Sequence, residues 1–410
     1  MSQPDRQDED GVLQRMLDAI LGSEHARNVA VSGSGSLRSV FPVTELATAS
    51  IAAAGVALNE LLDSAGFGSR TVNVDRRLAS LWFGTSIRPR GWELPPAWDA
   101  VAGDYEAADG WIRLHTNAPA HREVALRVLG VRADRKAVGA AVARWNANKL
   151  EAAIVEAGGC AAVMHSLADW HASEPGRAVA TEPLIGWENG GMDGGAMNAR
   201  FGPQHPLEGI RVLDLTRVLA GPVTTRFLAM LGADVLRIDP PEWDEPGVVP
   251  DVLLGKRTAR LDLRQSSGRN RLLELLASAD MLVQGYRPGA LDNLGLDASV
   301  RDRARPGLIE ISLDAYGWTG PWAGRRGFDS LVQMSSGIAD AGMHAFGLNK
   351  PGPLPVQALD HATGYLMAHA ALMALRTRDA ELERPCLWRG PRNCLSTQAR
   401  LSSRLVSPFG

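Results

Sequence analysis

IRVLDLTRVLAGPVTTRFLAMLGADVLRI, residues 210–238, carries the pattern that decides the fold. Residues 210–215 (IRVLDL) form a short apolar run of strand length. Ala220-Gly221-Pro222 turns the chain, and residues 223–231 have helical spacing closed by Gly232. Residues 234–238 (DVLRI) are a second strand. The same alternation continues outward: 258–263 (TARLDL) reads as a strand, 269–277 as a helix, 281–284 (MLVQ) and 308–312 (LIEIS) as strands. Strands alternating with helices at this spacing imply parallel βαβ units and a doubly wound α/β sheet.

Ligands of such sheets bind beyond the carboxyl ends of the strands. That rule gathers residues 216–222, 239–243, 285–289 and 316–320 around one crevice. No GxGxxG follows the first strand, which counts against a dinucleotide site. Arg237, Lys256, Arg257, Arg264, Arg287, Arg325 and Arg326 fall on successive loops of this region. Dispersed cations suit a polyphosphate or nucleotide-like ligand, although each alone is also an ordinary solvated residue. Tyr286, in GYRPG, has two readings: stacking on an adenine, or packing.

Downstream, LPVQALDHATGYLMAHAALMAL (354–375) places one acid, Asp360, at the mouth of a helix apolar on nearly every side. Such a helix is buried in a large protein. Asp360 is either a cap for free backbone N–H groups or a carboxylate nucleophile beside a ligand. Residues 41–62 (FPVTELATASIAAAGVALNELL) repeat this design with Glu45 opposite Asp360, as if one supersecondary unit were used twice.

The first half of the chain is less regular. Residues 12–21 have helical spacing, and a Gly/Ser connector follows that lacks the Lys-Ser/Thr ending of a phosphate loop. Residues 72–83 read as a strand entering a helix, and 109–115 as a turn feeding a strand with Trp111 and Leu114 inward. Residues 122–129, 138–147 and 150–157 read as helices. His115 and His121 read as exposed loop histidines, because no third ligand has metal-site spacing. A Gly/Met/Asn-rich stretch ends near 205 and marks the main boundary. The expected organisation is therefore a flexible segment with a helix (1–40), a smaller N-terminal α/β or α+β domain (41–190), a linker (191–205), the doubly wound domain (206–380) and an irregular tail (381–410).

Hydrophobic content of 45%, charged content of 22% and a net charge of −3 leave no basic footprint for nucleic acid. The cysteines Cys160, Cys386 and Cys394 lack zinc spacing, and their odd number argues against a disulfide framework. No metal is expected. The start MSQPDRQDEDG has no secretory pattern, and no uninterrupted apolar span of about 20 residues occurs. The expected location is cytoplasmic, away from membranes.

PLEGIRVLDLTRVLAGPVTTRFLAMLGADVLRIDPP, KRTARLDL, ADMLVQGYRPGALDNLGL, GFDSLVQMSSGI and the Asp360 helix, in this order, resemble the family III CoA-transferases. That group includes formyl-CoA transferase, carnitine CoA-transferase and α-methylacyl-CoA racemase. The resemblance covers about residues 206–378. It implies a Rossmann-like domain binding coenzyme A, acyl-CoA and a carboxylic acid as substrates, and a homodimer. It also implies Asp360 as a nucleophile passing through acyl-anhydride and aspartyl-CoA thioester intermediates. Val218, Ala220, Leu261, Arg264, Tyr286, Leu294 and Arg326 stand at the family's CoA contacts.

Departures accompany it. Phe328 stands where the racemase branch has a histidine, so a racemase here would need His361 or His369 as its base. Leu219 stands where formyl-CoA transferase has a glutamine, which implies a different substrate. Residues 109–170 resemble the family's small domain yet precede the CoA-binding half. The chain thus reads as a rearranged or fused member, with Glu45 a degenerate counterpart of Asp360. A non-catalytic CoA-binding or assembly subunit is the other reading, suggested by the degenerate Glu45 stretch and the irregular terminus.

Overall fold

The computed structural model describes residues 6–189, 199–382 and 397–401. Its centre is a seven-stranded sheet in the order Ile185–Asn189, Thr397–Leu401, Ile309–Leu313, Met281–Gln284, Arg211–Leu215, Asp234–Asp239, Arg257–Arg260. All neighbours run parallel except Ile185–Asn189, which lies antiparallel to Thr397–Leu401. The chain leaves Arg211–Leu215 toward one edge, then returns to pair Met281–Gln284 on its other side. The strand order reverses between these two strands, and the crevice opens there.

The apolar strand runs follow from burial on both faces. Val212, Met281, Val283, Ile309 and Ile311 join the core that holds the helices Ala220–Met230 and Ala358–Leu382. The alternate residues Leu213, Leu215 and Leu282 join a second core with Leu272 and Leu276 of the helix Ser266–Leu276. Ala220-Gly221-Pro222, read from sequence as a turn, is the first turn of its helix. Proline is tolerated there because its missing N–H would have no intrahelical partner.

Ala358–Leu382 is buried by two helices at once, Ala220–Met230 and Val43–Ser64. Its Leu366, Met367, Leu372 and Leu375 are wholly enclosed, each side chain contributing about 1.5–3 kcal/mol by burial. Val43–Ser64 is apolar and long enough to cross a bilayer by composition, yet 67% of its most apolar window is buried in this fold. The small residues Ala47, Ala49, Ala53 and Ala57 are fully covered, and small side chains let helix axes approach.

These contacts revise the expected organisation. Residues 6–21 are not a loose lead-in: the helix Arg6–Leu21 buries Leu13, Met16 and Leu17 against Val43–Ser64. Residues 41–190 are not one domain. Val43–Ser64 and Arg76–Gly84 belong to the main core, because a helix apolar all round must be covered on several sides. A separate core, with Ile112, Leu114, Val138, Leu150 and Ile154, belongs to residues 101–163. There the strands Gly103–Ala107, Gly110–Leu114 and Ala161–Val163 form an antiparallel sheet carrying the helices Pro119–Leu129, Arg135–Val142 and Ala147–Glu156. Ile112 and Leu114 share its inward face, so Trp111, one residue out of phase, lies on the opposite face near Leu331 and Met334. The expected irregular tail supplies Thr397–Leu401 to the sheet, where it fills the space between two strands. The rest of that tail, and residues 190–198 of the expected linker, lie outside the described residues.

Candidate active site

The loop after Arg211–Leu215 is held from below by Asp214, which is fully buried. Its carboxylate accepts from Thr216 N (2.8 Å), Thr216 Oγ1 (2.5 Å), Thr225 Oγ1 (2.5 Å) and Lys256 Nζ (3.0 Å). Lys256 also donates to Pro222 O at 3.0 Å. This lysine is therefore a strut inside the fold and no crevice cation. Gly221 is required here, since a Cβ would stand 2.3 Å from Thr216 Cβ. Val218 follows with φ 65, the one non-glycine residue with positive φ among those described. A β-branched side chain in the left-handed region stores about 1–3 kcal/mol of strain and persists only when its surroundings hold it. Here the holder is Glu245, whose Oε1 accepts from Val218 N at 2.7 Å while Oε2 pairs with Arg237 Nη2 at 2.6 Å. Arg237 is almost wholly buried and also bonds Asp239, so it too lies inside the fold and not in the crevice.

Arg217 points across the crevice between two rings, with its guanidinium 5.0 Å from the Trp243 centroid and 5.2 Å from that of Tyr286. It donates to Tyr286 Oη at 2.9 Å. One face of Tyr286 is thus covered by a cation, and the ring also packs against the apolar cluster under the sheet.

The crevice is a cavity of about 620 Å³. Val218, Ala220, Tyr286, Leu294, Arg326 and Asp360 all line it, brought together from four separated stretches. Leu261 and Arg264 do not. Leu261 packs among apolar residues under the sheet edge, and Arg264 is exposed and paired with Asp262 and Glu242. Arg257 likewise pairs with Asp234 on the surface. Arg287 lines the cavity and donates to Gly324 O at 3.0 Å. Arg326 makes no hydrogen bond or ion pair among the described residues, which leaves its charge directed at the cavity.

Asp360 sits in the first turn of Ala358–Leu382 but does not cap it. That task belongs to Asp329, whose Oδ2 accepts from Leu359 N (3.0 Å) and Asp360 N (3.2 Å). Ala358 N and His361 N bond Val356 O and Gln357 O. All four N–H groups of the helix start are consumed. The backbone at 362–364 lies inside the helix ladder, so the helix start has no free donor for a developing oxyanion. The Asp360 carboxyl itself makes no hydrogen bond or ion pair among the described residues, and it is half-buried at the cavity wall. Its proton affinity is raised well above the usual carboxylate range, first by desolvation and then by the charge of Asp329. Asp314, at the end of the strand Ile309–Leu313, is pushed up to about 7, chiefly by burial.

The residues 101–163 unit closes the far wall. His115, expected to be an exposed loop histidine, is buried and stacks on Phe328 with ring centroids 3.8 Å apart. The strand phase explains it: His115 continues Gly110–Leu114 into the interface. Burial pushes its pKa down to about 3. His121 lines the cavity, and burial with the charges of Arg326 and Arg287 lowers it to about 4. Its Nδ1 lies 3.5 Å from Cys160 Sγ, a thiol pushed up to about 12 by burial. No group of three His, Cys, Asp or Glu fit to hold a metal occurs among the described residues. His361 and His369 do not line the cavity: the first stacks on Phe83 at 5.0 Å, and the second has Nδ1 3.0 Å from Ala53 O. Glu45, the repeat's counterpart of Asp360, is buried against Arg76 away from the cavity.

Sequence reasoning placed the loops of Arg217 and Trp243 at the crevice without singling out either side chain, and gave no role to Asp329 or Asp314. Asp329 had one visible signal, an acid opening a short apolar helix in GFDSLVQM.

A doubly wound α/β body thus carries an open carboxyl at the mouth of a buried helix beside a cation-rimmed cavity. Residues 207–381 match CoA-transferase family III. It is 34% identical over 235 residues to an acetyl-coenzyme A transferase of Hypoxylon pulicicidum, covering 53% of this chain and 38% of that one. It is 32% identical over 191 residues to a probable fatty acyl-CoA transferase of Mycobacterium tuberculosis, covering 43% and 48%. It is 36% identical over 184 residues to a succinyl-CoA:glutarate CoA-transferase of Mus musculus, covering 41% of each. The chain spans about half the length of these relatives or less.

Proposed function

We propose that this chain is an acyl-CoA:carboxylate CoA-transferase with Asp360 as nucleophile and coenzyme A as the carrier. The observation that carries the reading is the Asp360 carboxyl, without a hydrogen bond or ion pair among the described residues and open to a cavity of about 620 Å³, while the neighbouring Asp329 does the capping. In its ionised form an Asp360 oxygen attacks the thioester carbonyl of an acyl-CoA, the C–S bond breaks and CoA leaves as thiolate. The thiolate attacks the Asp360 carbonyl of the mixed anhydride, releasing the donor carboxylate and leaving an aspartyl-CoA thioester. An acceptor carboxylate reverses both steps and departs as the new acyl-CoA. Arg326 and Arg287 favour the thiolate, the carboxylates and the CoA phosphates by charge. Tyr286, at the cavity wall, lies toward the adenine side of the ligand in this reading.

Homodimer assembly and metal-free chemistry belong to this proposal, with the family resemblance as their support. A racemase reading is weaker, because Phe328 occupies the base position against His115 and neither His361 nor His369 reaches the cavity. The test is transfer of CoA from acetyl-, fatty acyl- and succinyl-CoA, the donors suggested by the relatives' names, to isotopically labelled carboxylic acids. Ping-pong kinetics that vanish in Asp360→Asn are expected. Exchange of the α-hydrogen with deuterium and no CoA transfer would move the assignment to the racemase.

A further inference from the structure

The Asp329 carboxylate sits directly under the backbone of Asp360. It accepts both Leu359 N and Asp360 N, and its Oδ1 accepts Gln333 Nε2 at 2.5 Å. Gln333 Oε1 in turn accepts Leu354 N at 2.7 Å, which ties the extended lead-in to the same point. Asp329 is buried and Gln333 is buried beside it. One side chain therefore fixes both the start of the Ala358–Leu382 helix and the strand-like approach to it, from a residue 31 positions earlier.

The two acids face unequal surroundings. Asp329 receives three hydrogen bonds, whereas the Asp360 carboxyl receives none among the described residues. Hydrogen bonds to a carboxylate favour its charged form, so the negative charge of the pair rests on Asp329. Like charges so close cannot both ionise cheaply, and the second proton stays on Asp360.

We propose that Asp329 is a positioning residue that governs Asp360: its carboxylate holds the nucleophile's backbone through two N–H groups, and its negative charge sets how readily Asp360 ionises. This rests on the transferase reading for its purpose but not for its test. In the ligand-free protein Asp360 holds its proton more firmly than an ordinary carboxyl, and attack requires that proton to leave. The charged groups that face the pair are Arg113, ion-paired with Asp104, Asp314 at the strand end, and the cavity cations Arg217, Arg287, Arg325 and Arg326. The Ala220–Met230 helix adds none, since its Arg226 is turned away to Asp251. Both carboxyls lie above the ordinary range, pushed there first by desolvation, and the charge of Asp329 acts in the same direction on Asp360.

The experiment labels protonated carboxyls in the ligand-free protein with a water-soluble carbodiimide and glycine amide between pH 4.5 and 8.5, quantifying Asp360 by peptide mass spectrometry. Asp329→Asn and Asp329→Ser both remove the charge and keep a capping oxygen. Each is expected to shift the Asp360 labelling midpoint down by at least one pH unit, with Asp329→Glu restoring it. An Asp360 midpoint unchanged in both charge-removing variants would overturn the proposal. Where Asn fails to fold, Ser carries the test, and Gln333→Met gives a third. It strips one hydrogen bond from Asp329, shares the charge more evenly, and is expected to move the midpoint down by a smaller step. No acyl donor is used, so loss of the labelling effect and loss of transferase activity are separate results.

Discussion

The contact between the helices Ala220–Met230 and Ala358–Leu382 rests on Gly364. A Cβ there would stand 2.6 Å from Ala220 O and 2.7 Å from Val223 Cβ and Cγ1. None of these obstacles is the end of a flexible side chain, so Gly364→Ala must push the two helices apart. Overpacking of this kind costs about 1–3 kcal/mol. Parting the helices also stretches the bond from Thr224 Oγ1 to Gly364 O (2.9 Å), worth about 1 kcal/mol. Against this stands the helix preference of alanine over glycine, about 1 kcal/mol. The net expectation is a destabilisation of about 2 kcal/mol. Gly139, inside the helix Arg135–Val142, is the internal control. Its Cβ would meet Tyr105 at an ordinary 3.7 Å, so Gly139→Ala is expected to stabilise by about 0.5–1 kcal/mol. Urea unfolding with an unchanged m-value reads both. A Gly364→Ala variant as stable as the parent, or moving in the same direction as Gly139→Ala, would refute the close-packing argument.

Other consequences follow from buried charges. Lys256→Met leaves the fully buried Asp214 without its cation and is expected to cost ~3–5 kcal/mol, seen as a lowered urea midpoint; the double variant Asp214→Asn, Lys256→Met should cost less than the single one. His361 is stacked on Phe83, its Nδ1 has no partner among the described residues, and burial lowers its pKa to about 4. A depressed histidine favours the fold fully above pH 6.5 and loses that contribution as pH falls toward 4. His361→Phe is therefore expected to be nearly neutral at pH 7 and more stable than the parent by about 2 kcal/mol at pH 5. Equal pH profiles for the two proteins would contradict the burial argument.

Much of the sheet could be read from local pattern. Strand-length apolar runs alternating with helical spacing over 210–312 led to the right fold class, because double-sided burial leaves its mark on each strand separately. Asp360 was visible for a similar reason, as a lone acid at the mouth of an apolar helix. What was not visible depends on partners far along the chain. Lys256 and Arg237 read as crevice cations because nothing local tells that Asp214 and Glu245 enclose them. His115 read as exposed because its stacking partner, Phe328, lies more than two hundred residues later. Val43–Ser64 was assigned to a separate domain because its cover, Ala358–Leu382, is equally remote. The capping role moved from Asp360 to Asp329 on the same grounds. Sequence shows what a residue needs, and the fold decides who supplies it.

The role of Asp360 is open to one direct measurement. The protein is incubated with each donor acyl-CoA, quenched with hydroxylamine and mapped by peptide mass spectrometry. An aspartyl hydroxamate at Asp360, formed only with a thioester present and absent in Asp360→Asn, is the expected result. Stoichiometric coenzyme A binding with unmodified Asp360 across all donors would contradict the nucleophile assignment and leave the chain as a coenzyme A-binding subunit.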